Sequence, residues 1–166
     1  LRLTEHDIGY FNTRCHVRPP LRGLRDRVAL RAALQSGVIS AICSDHQPHE
    51  PDAKLAPFAE SEPGISGLET LLPLTLKLVE EKLLTLNEAI ALLTVKPAEI
   101  LGVECGTLDI GATADVCIFD PTAHWILNAD NFVSRGRNSP FLGWELSGRV
   151  THTLVGGEGV FEPGDV

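Results

Sequence analysis

Apolar residues recur at helical spacing in two stretches of the chain and crowd together in a third between them. Over Arg25–Gln35, Val28, Leu30, Ala33 and Leu34 are available to pack, and Ser36-Gly37 follows as a stop. The spacing predicts a helix over 25–35. Over Leu68–Lys82, the residues Leu68, Leu71, Leu72, Thr75, Leu76 and Val79 form a stripe, as expected of a helix with one buried face. Between the two, Val38-Ile39-Ser40-Ala41-Ile42-Cys43 is short and rich in β-branched residues, and it reads as a buried strand. A helix followed within a few residues by a strand is the rhythm of an α/β unit.

Downstream, Thr85-Leu86-Asn87-Glu88 has the spacing of a capping box and predicts a helix through Leu93. Lys96–Leu101 reads as a short helix with Pro97 in its first turn and Gly102 as its stop. The pattern then changes. Gly106–Leu108, Ala114–Asp120, Arg149–Val155 and Gly159–Phe161 are short β-prone runs, and Gly156-Gly157 invites a tight hairpin between the last two. The change of character divides the chain into 1–104, an α/β part, and 105–166, a β-rich tail. Leu1–Arg14 reads as a loop, and Pro19-Pro20 forces extended backbone. The acidic, Ala- and Pro-rich stretch Glu50–Gly64 is a long loop, suited equally to a lid or to a loose surface excursion.

Composition narrows the function classes. The chain has 166 residues, 43% hydrophobic and 22% charged, ordinary for a soluble globular protein. A net charge of −8 argues against non-specific nucleic-acid binding. Arg25, Arg27 and Arg31 read as a solvated helix face, whereas Arg18 and Arg22 flank the Pro-Pro turn. No apolar run approaches the roughly 20 residues of a membrane span. The start on Leu1 suggests a fragment or a processed product. Cys15, Cys43, Cys105 and Cys117 are widely spaced, without a Cys-x-x-Cys pair. Cys43 and Cys117 lie in apolar runs and are expected to be buried, reduced thiols in a cytoplasmic setting.

The candidate chemistry sits where the apolar run ends, at Ser44-Asp45-His46-Gln47-Pro48-His49. Asp45 at a strand's C-terminal end is either a loop-capping aspartate or a metal ligand and general base. His46, next to the acid, is expected to pack or hydrogen-bond. His49 is far enough along to turn back over the strand end. His6, His16, His124 and His152 are scattered and show no metal-ligand spacing.

This segment resembles the Asp-His-x-Pro-His motif that ends the last barrel strand of dihydroorotases, in the amidohydrolase superfamily. Three more pieces follow in the family's order. His16-Val17-Arg18-Pro19-Pro20-Leu21-Arg22 is similar to its Asn-Pro-Pro-Leu-Arg segment. Glu62-Pro63-Gly64-Ile65-Ser66-Gly67-Leu68-Glu69-Thr70 is similar to its Phe-Gly-Ile-x-Gly-x-Glu loop. Asn138-Ser139-Pro140-Phe141-Leu142-Gly143 is similar to its Asn-Thr-Pro-Phe-x-Gly segment. The resemblance implies the C-terminal part of an α/β (β/α)8 barrel (a TIM barrel), plus the last strands of a small β-domain. It also implies a hydrolase: the zinc-dependent, reversible ring closure of N-carbamoyl-L-aspartate to L-dihydroorotate in pyrimidine biosynthesis. On that reading Asp45 is the catalytic base and a metal ligand, and Arg18, His49, Pro63 and Gly64 bind the small-molecule substrate.

Two departures bear on these implied roles. Arg18 stands where the family has an asparagine, and it offers only donors and a permanent charge. Pro63 replaces a residue with a backbone N–H to give. The other zinc ligands are expected outside this chain, which alone should be inactive. The alternative is a non-catalytic dihydroorotase-like subunit that scaffolds aspartate transcarbamoylase. A hydantoinase or allantoinase is a third reading, and a homo-oligomer is a possible assembly.

Overall fold

A computed structural model describes residues 1–162 and 164. Helices occupy the first part in the order α1 (Leu24–Gln35), α2 (Leu68–Glu80), α3 (Leu86–Ala91) and α4 (Val95–Leu101). The strands β1 (Val116–Ile126), β2 (Glu145–Val155) and β3 (Glu158–Phe161) come last. They form one antiparallel sheet in the order β1-β2-β3.

Local chemistry explains most of the boundaries. α1 ends where Gly37 takes a φ of 74°, which glycine adopts without steric cost. The capping box before α3 is formed in full. Glu88 N–H donates to the Thr85 hydroxyl at 3.3 Å, and Thr85 N–H donates to the Glu88 carboxylate at 2.7 Å. α4 stops at Gly102, which is left-handed. Gly156 and Gly157, with φ of 58° and 87°, make the hairpin between β2 and β3, since both central residues of that turn type need positive φ. β1 runs well past Asp120, and its register with β2 breaks between Asp120 and His124. Pro121 lies in that irregular stretch, where a missing N–H costs the ladder nothing.

α2 joins the two parts. One apolar cluster contains Leu34, Leu78, Leu84, Ala89 and Leu92, with Ile39 and Ile42 packed against it. A second contains Leu127, Phe132, Phe141 and Leu146, with Leu3 and Leu74 at its margin. α2 therefore contributes to both cores, and it also packs on β2. There Gly148 lets Leu76 approach so closely that a Cβ would come within 2.3 Å of Leu76 Cδ1.

The buried side of α2 differs from the expected stripe. Thr70, Pro73, Thr75, Leu76 and Leu78 are buried, while Leu68 is exposed. Pro73 lies inside the helix, so the N–H that would reach the Glu69 carbonyl is missing. On α1 only Leu34 is buried, and Val28 and Leu30 are exposed.

The largest departure concerns residues 38–43. They do not form a strand. Their neighbourhood carries one isolated parallel bridge, His46 to Ile65. Ile39 N–H goes instead to the Ala33 carbonyl and Ile42 N–H to the Leu92 carbonyl. A strand exists only against a partner, and among the described residues no ladder forms beside this run. For the same reason Cys43 is exposed, not buried as its apolar setting suggests. Cys117 is exposed too, since no side chain of β1 is buried on either face of the sheet. Cys15 is the buried thiol, 3.4 Å from the Asp7 carbonyl. Gly106–Leu108 forms no strand either.

The loop between Glu50 and Gly64 is a pinned structure. Lys54 is buried, and its ammonium donates to the Glu62 carbonyl. Glu62 N–H returns to the Ala53 carbonyl at 3.0 Å. Phe58 lies 4.8 Å from the His16 ring, and Ser61 Oγ is 3.0 Å from His16 Nδ1. The loop thus covers the segment that leads into Arg18.

Candidate functional site

The end of the 38–46 run, the 63–65 segment and a late segment around Asn138 meet in one place. The parallel bridge from His46 to Ile65 aligns the first two, and Gln47 N–H donates to the Ile65 carbonyl at 2.9 Å. Asp45 sits at this junction with a φ of 45°. A non-glycine residue in the left-handed region is uncommon, and such conformations concentrate at functional sites. Gln47 Nε2 donates to Asp45 Oδ1 at 3.1 Å, holding the carboxylate from one side. Asp45 is exposed, so its free lone pairs face outward.

His49 does turn back. Its Nε2 lies 3.0 Å from the Pro63 carbonyl. A carbonyl can only accept, so Nε2 carries the proton in this contact. Gly64 N–H donates to the His16 carbonyl at 2.8 Å. That bond brings the Arg18 segment to the same junction. Gly64 has a φ of 131°, and a Cβ there would fall 2.5 Å from Gln47 Cβ. Only glycine fits this approach. Asp45, His49, Pro63 and Gly64 are therefore gathered by direct hydrogen bonds and contacts. Arg18 stands at the margin, its side chain exposed beside a cavity of about 240 Å³ lined by Cys15, His16 and Phe58.

His46 behaves as a packing residue. Its Nδ1 accepts from Gly67 N–H at 3.1 Å and so caps the start of α2. At Gly67 a Cβ would lie 2.9 Å from the Ser44 carbonyl oxygen. A cavity of about 480 Å³ is elsewhere. It lies between α2 and the sheet, is lined by Leu72, Pro73, Trp125 and Phe132, and holds none of the predicted site residues.

Zinc requires three or four protein ligands in close geometry. Among the described residues no three His, Cys, Asp or Glu side chains converge. This chain offers one carboxylate, Asp45, and by itself does not fit a zinc ion.

Sequence reasoning passed over Asn138 as a site residue. It is 5% exposed, and its side chain is fully bonded. Oδ1 accepts from His49 N–H at 2.7 Å. Nδ2 donates to the Gln47 carbonyl at 2.9 Å and to the Gly64 carbonyl at 3.1 Å. Next to it, Gly136 lies flat on Pro48, where a Cβ would come within 2.5 Å of Pro48 Cβ. The Asn-Ser-Pro-Phe string was visible, but nothing in it says which distant backbone the amide reaches.

Comparison with known proteins places this geometry among related chains. The pattern of the amidohydrolase family matches residues 16–160. The chain is 45% identical over 162 residues to a dihydroorotase of Geobacter sp. (strain M21), covering 98% of this chain and 38% of the relative. It is 50% identical over 157 residues to a dihydroorotase-like protein of Pseudomonas aeruginosa, covering 95% of this chain and 37% of the relative. Among solved structures, the L-hydantoinase (dihydropyrimidinase) of Arthrobacter aurescens superposes with a TM-score of 0.91 at 31% identity, covering all of this chain and 38% of that one. The chain thus spans less than two fifths of the length of these relatives.

Proposed function

Because the chain belongs to the amidohydrolase family, we propose that it is the part of a dihydroorotase that carries the catalytic base and the substrate-binding loops. Residues 1–104 would complete the C-terminal side of a (β/α)8 barrel, and 105–166 would join a small β-domain. The observation that carries this reading is the junction of Asp45, His49 and the Pro63-Gly64 backbone, joined by the His49–Pro63 bond of 3.0 Å.

The chemistry follows from that arrangement. Ring opening of dihydroorotate adds water across a cyclic amide. Water attacks the carbonyl carbon, the C–N bond breaks, and a proton must travel from the water to the departing nitrogen. Asp45 is suited to carry it, since a carboxylate that takes the proton can return it. The fixed His49 Nε2–H leaves Nδ1 for a polar group of the substrate, and we assign the Pro63-Gly64 backbone to the same ligand. Arg18, at the margin, would pair with the substrate's carboxylate. We assign zinc to the intact protein, with Asp45 as this chain's contribution and the other ligands outside residues 1–166, in a cytoplasmic pyrimidine-pathway enzyme.

The 45% identity to a dihydroorotase exceeds the 31% to the hydantoinase, and so favours dihydroorotate over hydantoins. A second reading rests on the 50% identity to the dihydroorotase-like protein, together with Arg18 and Pro63 in place of the family's residues. It makes the protein a non-catalytic subunit that scaffolds aspartate transcarbamoylase. The test is hydrolysis of dihydroorotate and of hydantoin by the full-length protein. Turnover of dihydroorotate supports the enzyme. Inertness toward both, with copurification of aspartate transcarbamoylase, supports the scaffold.

A further inference from the structure

We infer that Asn138 is a positioning residue that sets the spacing between the base-bearing segment and the substrate-binding backbone. The inference rests on the dihydroorotase reading of the same junction. Asn138 comes from a segment remote in sequence from both loops, yet its amide touches each of them.

The side chain's hydrogen-bonding capacity matches its surroundings. A carboxamide offers an acceptor oxygen and two N–H donors. Here the oxygen meets the His49 N–H, and the two donors meet the Gln47 and Gly64 carbonyls. The main chain of Asn138 adds a fourth tie, accepting from Ser66 N–H at 3.1 Å. The amide therefore bridges the Gln47–His49 stretch to Gly64, while Gln47 holds Asp45 and His49 holds Pro63. The base and the substrate contacts share one linker. Gly136, pressed onto Pro48, fixes how deeply that linker inserts. No other residue type of this size supplies one acceptor and two donors. Aspartate would keep the His49 bond but set an oxygen against both the Gln47 and Gly64 carbonyls. Alanine would leave all three backbone groups without their partner.

A shift of a reacting group by about 1 Å can cost on the order of 10²-fold in rate. The expected signature of Asn138→Asp in the full-length protein is thus a fall in kcat of at least about 10-fold, with a rise in KM for dihydroorotate. The thermal midpoint should fall, because the buried carboxylate faces two carbonyls, so rates are compared per folded, zinc-loaded molecule. Backbone amide exchange in peptides covering Gln47–His49 should accelerate in both Asn138→Asp and Asn138→Ala, whether or not substrate is present. Asn138→Ala should be more severe in exchange and equal or more severe in rate.

Unchanged kcat and KM per folded, zinc-loaded molecule would overturn the inference and leave the dihydroorotase reading standing. So would unfolding of both variants, which would make Asn138 a structural residue only. A parent protein inert toward dihydroorotate would overturn that reading, and the inference with it, and only this outcome appears in the unmutated protein.

Discussion

Arg18 is the side chain whose substitution separates binding from chemistry most cleanly. It is exposed at the margin of the junction, two residues beyond the His16 carbonyl that receives Gly64 N–H. If it pairs with the substrate's carboxylate, Arg18→Ala should raise KM for dihydroorotate about 10-fold and change kcat little, the behaviour of a contact made equally in ground and transition states. A fall in kcat with KM unchanged would place Arg18 elsewhere in the mechanism. At this scale the sequence was informative where the chemistry is local. Asp45 and His49 belong to one short string, so their proximity could be anticipated, whereas only the resemblance places Pro63-Gly64 beside them. Asn138 could not, because an asparagine before Ser-Pro reads as a turn residue, and its partners lie 74 to 91 positions away.

At the scale of elements, signals confined to one turn of backbone were readable, and those that need a partner were not. The capping box at Thr85 is an example of the first kind. Thr85→Ala removes the hydroxyl that receives Glu88 N–H, and it should cost about 1 kcal/mol of stability, measurable as a lower urea midpoint with an unchanged slope. Residues 38–43 are of the second kind, since their β-branched composition describes a strand only where a ladder is available. The Leu76–Gly148 contact is also of this kind. Gly148→Ala would force a methyl against Leu76 at a φ of 94°, and should destabilise the α2–β2 packing by about 2 kcal/mol or more. The expected readout is a lowered thermal midpoint, and an unaltered one would show that β2 can shift away from α2. The true buried side of α2 also depends on its partners. The sequence reads as helix straight through Pro73, and the helix does run through it, but the expected stripe leaves out Pro73, which is itself buried.

Over the whole molecule, charge ties the chain's beginning to its helices. Glu81, just after α2, pairs with Arg2 at 3.0 Å and with Arg31 of α1. The Arg31 hydrogen bond holds the Glu81 carboxyl below its ordinary value of 4.5. A carboxyl with a lowered folded value contributes stability that is present above its unfolded value and is lost as pH falls through the folded one. Stability should therefore decline below about pH 4.5 in part through Glu81, with a contribution of about 0.5–1 kcal/mol for a pair partly open to water. Glu81→Gln should be less stable near neutral pH and flatter across the acid range, and parallel profiles for the two proteins would contradict this. The pattern changes near residue 105, and the three strands all lie beyond it. What the pattern could not show is that α2 reaches both cores, because a side chain's spacing along a helix does not reveal which of two neighbours it meets.

The account's central claim is that Asp45 is the base of a dihydroorotase, and it is tested most directly by dihydroorotate hydrolysis. The assay compares the full-length protein with its Asp45→Asn variant at matched concentration and zinc content. The account predicts turnover by the parent and a loss of about 10³-fold in kcat in the variant, the scale on which a positioned acid–base group acts. A parent that turns over and a variant that keeps its rate would remove Asp45 from the mechanism. A parent that holds zinc and does not turn over would contradict the enzyme reading itself.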